Sequence, residues 1–309
     1  MTSIRALAAA AVGAGLLLVT ACGSSSDPTG KAPAGGGGST APTDTIVIGS
    51  ANFQENVVLA NIYAGALKAK GVKVSTKLNI GTRETYIPAV KDGSIDLIPE
   101  YSGVLLQYFD KTATAVSNAD VYAALQKATP QPLTVLQQSA AENKDAIVVT
   151  KETAAKYNLK SIADLAAVAD KLTLGAAPEF QTRPDGVPGL EKSYGVKFKT
   201  FKKLDPGGPL TQNSLKNGQI DAGDIFTTDP LIAKNGWVVL EDPKNLYTAQ
   251  NVVPLINSTK ASATVKSALD AVSAKLTTDD LIKLNEQVSL EKQSPETVAQ
   301  KWLADAGLV

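Results

Sequence analysis

The chain has 309 residues, 30 basic and 30 acidic side chains, one cysteine and no histidine. That balance leaves no electrostatic footprint for nucleic acid. Without histidine the Ser-His-Asp and Cys-His devices and the commonest zinc sites are excluded, and a lone cysteine excludes a disulfide framework.

Arg5 is the only charge before Cys22, and Ala6 to Val19 is apolar apart from glycine. A charged start, a short apolar core and small residues ahead of a cysteine predict a secretory leader over 1–21, because a bilayer crossing needs roughly 20 apolar residues. The ending Leu18-Val19-Thr20-Ala21-Cys22 looks like a bacterial lipobox, which implies a lipid on Cys22 and anchorage outside the cytoplasm. An ordinary leader with an incidental cysteine is the alternative. Residues 22–43, rich in Ser, Gly, Pro and Ala, read as a flexible tether.

From Asp44 onward strand and helix signals alternate. Residues 45–49 form a short β-branched run, and 54–70 carry a helical stripe of Val57, Val58, Ile62, Ala66 and Leu67 that Gly71 stops. Residues 72–78 alternate like a strand. Further strands are expected at 95–97, 146–150, 172–174, 237–240 and 251–256. Helices are expected at 84–91, 161–169, 210–216, 263–275, 279–290 and 295–306, the last opened by Ser294-Pro295-Glu296. Strands separated by helices predict mainly parallel α/β sheets.

A faint repeat runs through this pattern. Val90-Lys91-Asp92-Gly93-Ser94-Ile95-Asp96 is echoed by Leu215-Lys216-Asn217-Gly218-Gln219-Ile220-Asp221. At the same distance after each aspartate stands an aromatic–hydroxyl pair, Tyr101-Ser102 and Phe226-Thr227. A helix ending at glycine and feeding a buried strand explains each copy locally, and the shared spacing predicts two equivalent lobes. Ligands bind at the carboxyl ends of α/β strands, so Tyr101 and Phe226 are expected to face each other across a cleft.

At these residues the chain resembles the ProX-like osmoprotectant-binding proteins of ABC importers, which bind glycine betaine, choline and carnitine. The resemblance covers about 46–308 and includes IGSANFQEN (48–56), GSIDLIPEYSG (93–103), PEFQTRPDGVPGL (178–190), GQIDAGDIFTTDP (218–230) and VVLEDPKN (238–245). It implies an α/β, two-lobed periplasmic-binding-protein-like (type II) fold with two crossover strands. Lobe 1 would comprise 44–144 plus 251–309 and lobe 2 145–250, hinged near 143–146 and 249–252.

The family's cleft is an aromatic cage, since a quaternary ammonium has no N–H to donate and is held by ring faces. Its cage tyrosine falls on Tyr101, its carboxylate-catching arginine on Arg183, and a second aromatic on Phe226 with Thr227 beside it. Two other cage positions become polar, Asp145 and Gln250. Asn52, Phe53, Gln54 and Glu55 stand at a strand-to-helix turn, where a helix N-terminus offers free N–H groups. Purely structural roles remain open for each: a turn tie for Arg183 with Asp185, lobe core for Tyr101 and Phe226, and capping for the turn.

The resemblance implies a monomeric importer component that grips a small solute without changing it, needs no cofactor or metal, and hands its load to a membrane permease driven by an ATPase. The same role with a non-quaternary polar or aromatic ligand is the first alternative. A cleft enzyme using Asp145, Glu100 or Asp229, and a sensor or adhesion lipoprotein without a permease, are the others.

Overall fold

The computed structural model describes residues 45–309. Cys22, the expected leader and the expected tether lie outside the described residues. The chain opens with β1 (Thr45–Ala51), α1 (Gln54–Ala69), β2 (Lys73–Gly81), α2 (Arg83–Asp92), β3 (Leu97–Tyr101), α3 (Ser102–Phe109), α4 (Asn118–Ala128) and β4 (Leu133–Val135). It continues with β5 (Ile147–Val149), α5 (Lys151–Tyr157), β6 (Thr173–Ala176), α6 (Val187–Tyr194), β7 (Thr200–Lys203), α7 (Pro209–Lys216), β8 (Ala222–Asp224), α8 (Pro230–Asn235) and β9 (Val238–Val239). Strand β10 (Val252–Asn257) and helices α9 (Ala263–Lys275), α10 (Thr278–Ser289) and α11 (Pro295–Asp305) complete it.

Two five-stranded sheets result, ordered β2-β1-β3-β10-β4 and β7-β6-β8-β5-β9. In each, three neighbouring strands are parallel and the fourth is antiparallel to both its neighbours. The fourth strands are β10 and β5, those that follow the two crossings of the chain between sheets. Each sheet is covered on both faces by apolar side chains, which is why β3, β5, β8 and β10 are wholly buried. Helices α9, α10 and α11 return to pack with α1 on the first sheet.

The repeat is a structural one. Gly93 and Gly218 both take left-handed backbone, at φ 79 and 67, so each helix ends where a side chain would be strained. Asp96 N donates to Val47 O while its Oδ2 accepts from Val47 N. Asp221 makes the same two bonds with Thr173. Each aspartate thus ties the strand after its helix to the parallel strand beside it, β1 for Asp96 and β6 for Asp221. The hydroxyl residues also correspond. Ser102 N donates to Asn251 O and its Oγ accepts from Asn251 N; Thr227 N donates to Lys144 O and its Oγ1 accepts from Lys144 N. The crossover segments lie side by side, bridged at Glu142 and Asn251.

Differences from the sequence reading have local causes. Residues 161–169 form 3-10 turns rather than an α-helix, because the segment buries Ile162 and Leu165, a spacing that suits three residues per turn. Strand β3 begins at Leu97, since Ile95 and Asp96 still belong to the turn. Helix α4, of 11 residues, was not expected; the other unexpected elements α3, α5, α6, α8, β4 and β7 are all short. In α6 and α8 a proline occupies the first turn, where its missing N–H is harmless.

Candidate functional site

The carboxyl ends of β1, β3, β6 and β8 meet the crossovers around a cavity of about 60 Å³. Its apolar part is aromatic. The turn after β1 holds Phe53 at the start of α1, fixed by Asn56, whose Oδ1 accepts from Ala51 N and whose Nδ2 donates to Pro99 O. From there the Phe53 ring lies 6.0 Å from Tyr101 and 5.1 Å from Phe226, so one row of rings runs from the first sheet to the second. Phe53 therefore stands between the two aromatics expected to face each other. Tyr86 and Phe180 add further rings to the wall.

The polar part is dominated by charge. Arg83 is buried and forks onto Glu100, Nε to Oε1 and Nη2 to Oε2, both at 2.8 Å. Tyr86 donates to the same carboxylate at 2.7 Å, and Tyr101 N at 3.0 Å. Arg183 reaches from the second lobe to Glu84 on α2, with bonds of 3.2 and 3.1 Å. Burial raises Glu84, but the hydrogen bond and charge of Arg183 prevail and bring it down to about 2. Asp145 and Asp224 face the cavity without an ion pair among the described residues. Burial, then the neighbouring Asp185 charge, push the Asp145 carboxyl up to about 6. Burial, then Asp145 and Asp185, hold Asp224 well above the ordinary carboxylate value.

Beside the cavity sits a buried hub. Glu55 is 4% exposed and receives four side-chain donors: Tyr101 and Asn143 on Oε1 at 2.6 and 2.7 Å, Thr228 and Asn285 on Oε2 at 2.6 and 2.7 Å. They come from β3, a crossover, the segment after β8, and α10. Burial and the Glu55 carboxylate push the Tyr101 hydroxyl well above its ordinary value, which keeps it a donor.

Asn52, Phe53, Tyr101, Asp145, Arg183, Phe226 and Gln250 all line this one cavity. Gln54 lines a neighbouring one of about 350 Å³ on the other side of Phe53 and Phe226. Thr227 lines neither, and its hydroxyl is engaged with the crossover at Lys144. Gln250 is 2% exposed, and its Oε1 accepts from Val104 N at the start of α3. The carboxylates considered for catalysis do not converge: Glu100 is enclosed by its donors, and Asp229 caps α8 through Leu231 N and faces the second cavity. Arg83, Tyr86, Phe180 and Asp224 escaped the sequence reading. Phe180 and Asp224 lie inside two of the motif segments quoted above, and only the fold shows that they face the gap.

Two α/β lobes joined by two crossovers, with a cavity at their strand ends, define a type II periplasmic-type binding protein. More particularly, the chain belongs to the OpuAC family, the substrate binding domain of ABC-type glycine betaine transport systems, whose profile matches residues 44–305. It is 28% identical over 276 residues to the glycine betaine-binding protein YehZ of Escherichia coli, covering 85% of this chain and 90% of that one. It is 26% identical to the carnitine transport binding protein OpuCC of Listeria monocytogenes over 84% of this chain and 86% of the other. A crystal structure of a glycine betaine/carnitine/choline ABC transporter shares the fold at a TM-score of 0.67 and 23% identity, covering 85% of this chain and 99% of that one. Members of the family are extracytoplasmic substrate-binding components of importers. Among the described residues no helix is long and apolar enough to cross a membrane.

Proposed function

We propose that this chain is a monomeric solute receptor, anchored outside the cell membrane through Cys22, that grips a small quaternary amine such as glycine betaine, choline or carnitine. It closes, docks on a permease whose ATPase lies across the membrane, and releases the solute unchanged. The observation that carries this reading is the ring row Phe53–Tyr101 and Phe53–Phe226 at 6.0 and 5.1 Å. Ring faces attract a cation that has no N–H to donate, by about 0.5–2 kcal/mol each. Rings from both lobes favour the closed population when a cation lies against them. Asp145 and Gln250 take two positions of the family's cage, and Phe53, Tyr86 and Phe180 supply aromatic surface in their place. The crossovers near 143–146 and 249–252 are the hinges of this motion.

Thermal shift and titration calorimetry with glycine betaine, choline and carnitine test the reading. A binder at 100 times its dissociation constant adds roughly 2.7 kcal/mol of stability. Tyr101→Ala is expected to abolish the shift, and Arg183→Ala, which removes a cavity-lining side chain held by Glu84, to reduce it. Wild-type binding by both variants, with intact folding, means the site lies elsewhere, and turnover of the bound solute means the protein is an enzyme.

A further inference from the structure

The wall that the second lobe gives to the cavity contains a carboxyl the protein itself leaves partly unsatisfied. Asp224 ends β8, is 3% exposed and lines the cavity, yet its Oδ1 has no hydrogen-bond partner among the described residues. Tyr247 is 5% exposed, and its hydroxyl also lacks a partner. Tyr247 does not line the cavity, so its hydroxyl is no part of this wall. Asp145 lines the same wall from the crossover into β5. Buried polar atoms are nearly always satisfied in native structures, and Asp224 brings its carboxyl to the cavity wall with this oxygen unsatisfied.

The cations of the cavity are already engaged. Arg83 and Arg183 are the basic residues lining it; the first is forked onto Glu100 and the second onto Glu84. A solute carboxylate entering here meets two occupied guanidiniums and the oxygens of Asp145 and Asp224. A hydroxyl or ammonium N–H meets carboxyl oxygens, and a bound cation favours their charged form, to which hydrogen bonds are the strong kind.

We infer that the solute end facing the second lobe is a hydrogen-bond donor, so that the cleft selects hydroxyl- or amine-bearing cations of the amino-alcohol class over zwitterionic betaines. This rests on the proposal that the cavity is the solute site, and it specifies which end of the solute meets Asp224. The ring row receives the cationic end, and Asp224 with Asp145 receives the O–H or N–H.

Calorimetry with four probes tests it: choline, glycine betaine, tetramethylammonium and ethanolamine, on the wild-type chain, Asp224→Asn and Asp145→Asn. Choline is expected to bind at least about tenfold more tightly than glycine betaine or tetramethylammonium, the worth of one good charged hydrogen bond. Asp224→Asn is expected to weaken choline more than it weakens tetramethylammonium and so to remove most of that advantage; if that variant does not fold, Asp145→Asn and the wild-type ranking carry the test. Glycine betaine equal to or tighter than choline overturns this inference and leaves the quaternary-amine reading standing. So does an equal loss of choline and tetramethylammonium in Asp224→Asn. Binding of ethanolamine alone overturns the quaternary-amine reading and supports this one. Failure of all four probes overturns both.

Discussion

Asp145 shows how one side chain couples the cleft to pH. It is half-buried at the cavity wall, with burial and then Asp185 raising its carboxyl and Arg183 and Arg83 lowering it, to a net value of about 6. Because the folded value lies above the ordinary 3.8, the fold disfavours the charged form. Its stabilising contribution is therefore present in acid and lost as pH rises through about 6. A bound cation favours the charged form, so affinity moves the other way. Between about pH 5 and 7 the melting temperature of the free protein is expected to fall while its affinity for a cation rises. Asp145→Asn is expected to reduce both slopes, measured by thermal melts and calorimetry across that range, with a remainder from Asp185 and Asp224. Unchanged slopes would show that Asp145 does not titrate there. Asp145 was visible in the sequence as a departure from the family's pattern. Arg83 and Tyr86 were not, because helical periodicity shows which side of α2 is apolar but not which of its residues reach the cavity.

At the scale of elements, the repeated module was legible because its signal is local: a helix stopped by a left-handed glycine, a turn, then an aspartate, whose bond to β1 or β6 spans 49 or 48 residues and was not legible. What the sequence did not reveal was the use of Ser102 and Thr227 as matched pins on the two crossovers. Those bonds join residues far apart in the chain. Short elements such as β7 and α8 also escaped, since two turns or four residues present too few positions for a period to show. The two pins differ in burial: Ser102 is fully buried, whereas Thr227 is exposed. Ser102→Ala leaves Asn251 N without its acceptor away from water and is expected to cost about 1–3 kcal/mol. In Thr227→Val water replaces the lost hydroxyl, so the cost is expected to stay below about 1 kcal/mol. Urea unfolding of both variants at unchanged m-value measures the difference. Equal costs would mean that the crossovers are held by other contacts.

For the whole molecule the question is what holds the lobes together. Besides the ring contact of Phe53 with Phe226, polar side chains join them at two places: Arg183 with Glu84 at the cleft's edge, and Thr228 with Glu55 and Asn285 in its interior. The first has an exposed partner and is screened by solvent, so it contributes little. The second is buried and shares its carboxylate with Tyr101, Asn143 and Asn285, so breaking it on opening leaves a charged acceptor short of one donor. Glu55 governs closure more than Arg183 on these grounds. Glu55→Gln replaces one acceptor oxygen with a donor, which meets at least one of the four donors head-on. The free protein is then expected to populate the open form, and solute affinity to fall about tenfold because only the closed fraction is competent. Since Glu55 does not line the solute cavity, saturating solute should still close the variant. Small-angle scattering checks this: a larger radius of gyration than wild type without solute, and the wild-type value with it. If the variant scatters like wild type in both states, Glu55 serves only the start of α1, and the lobes are held by the ring row.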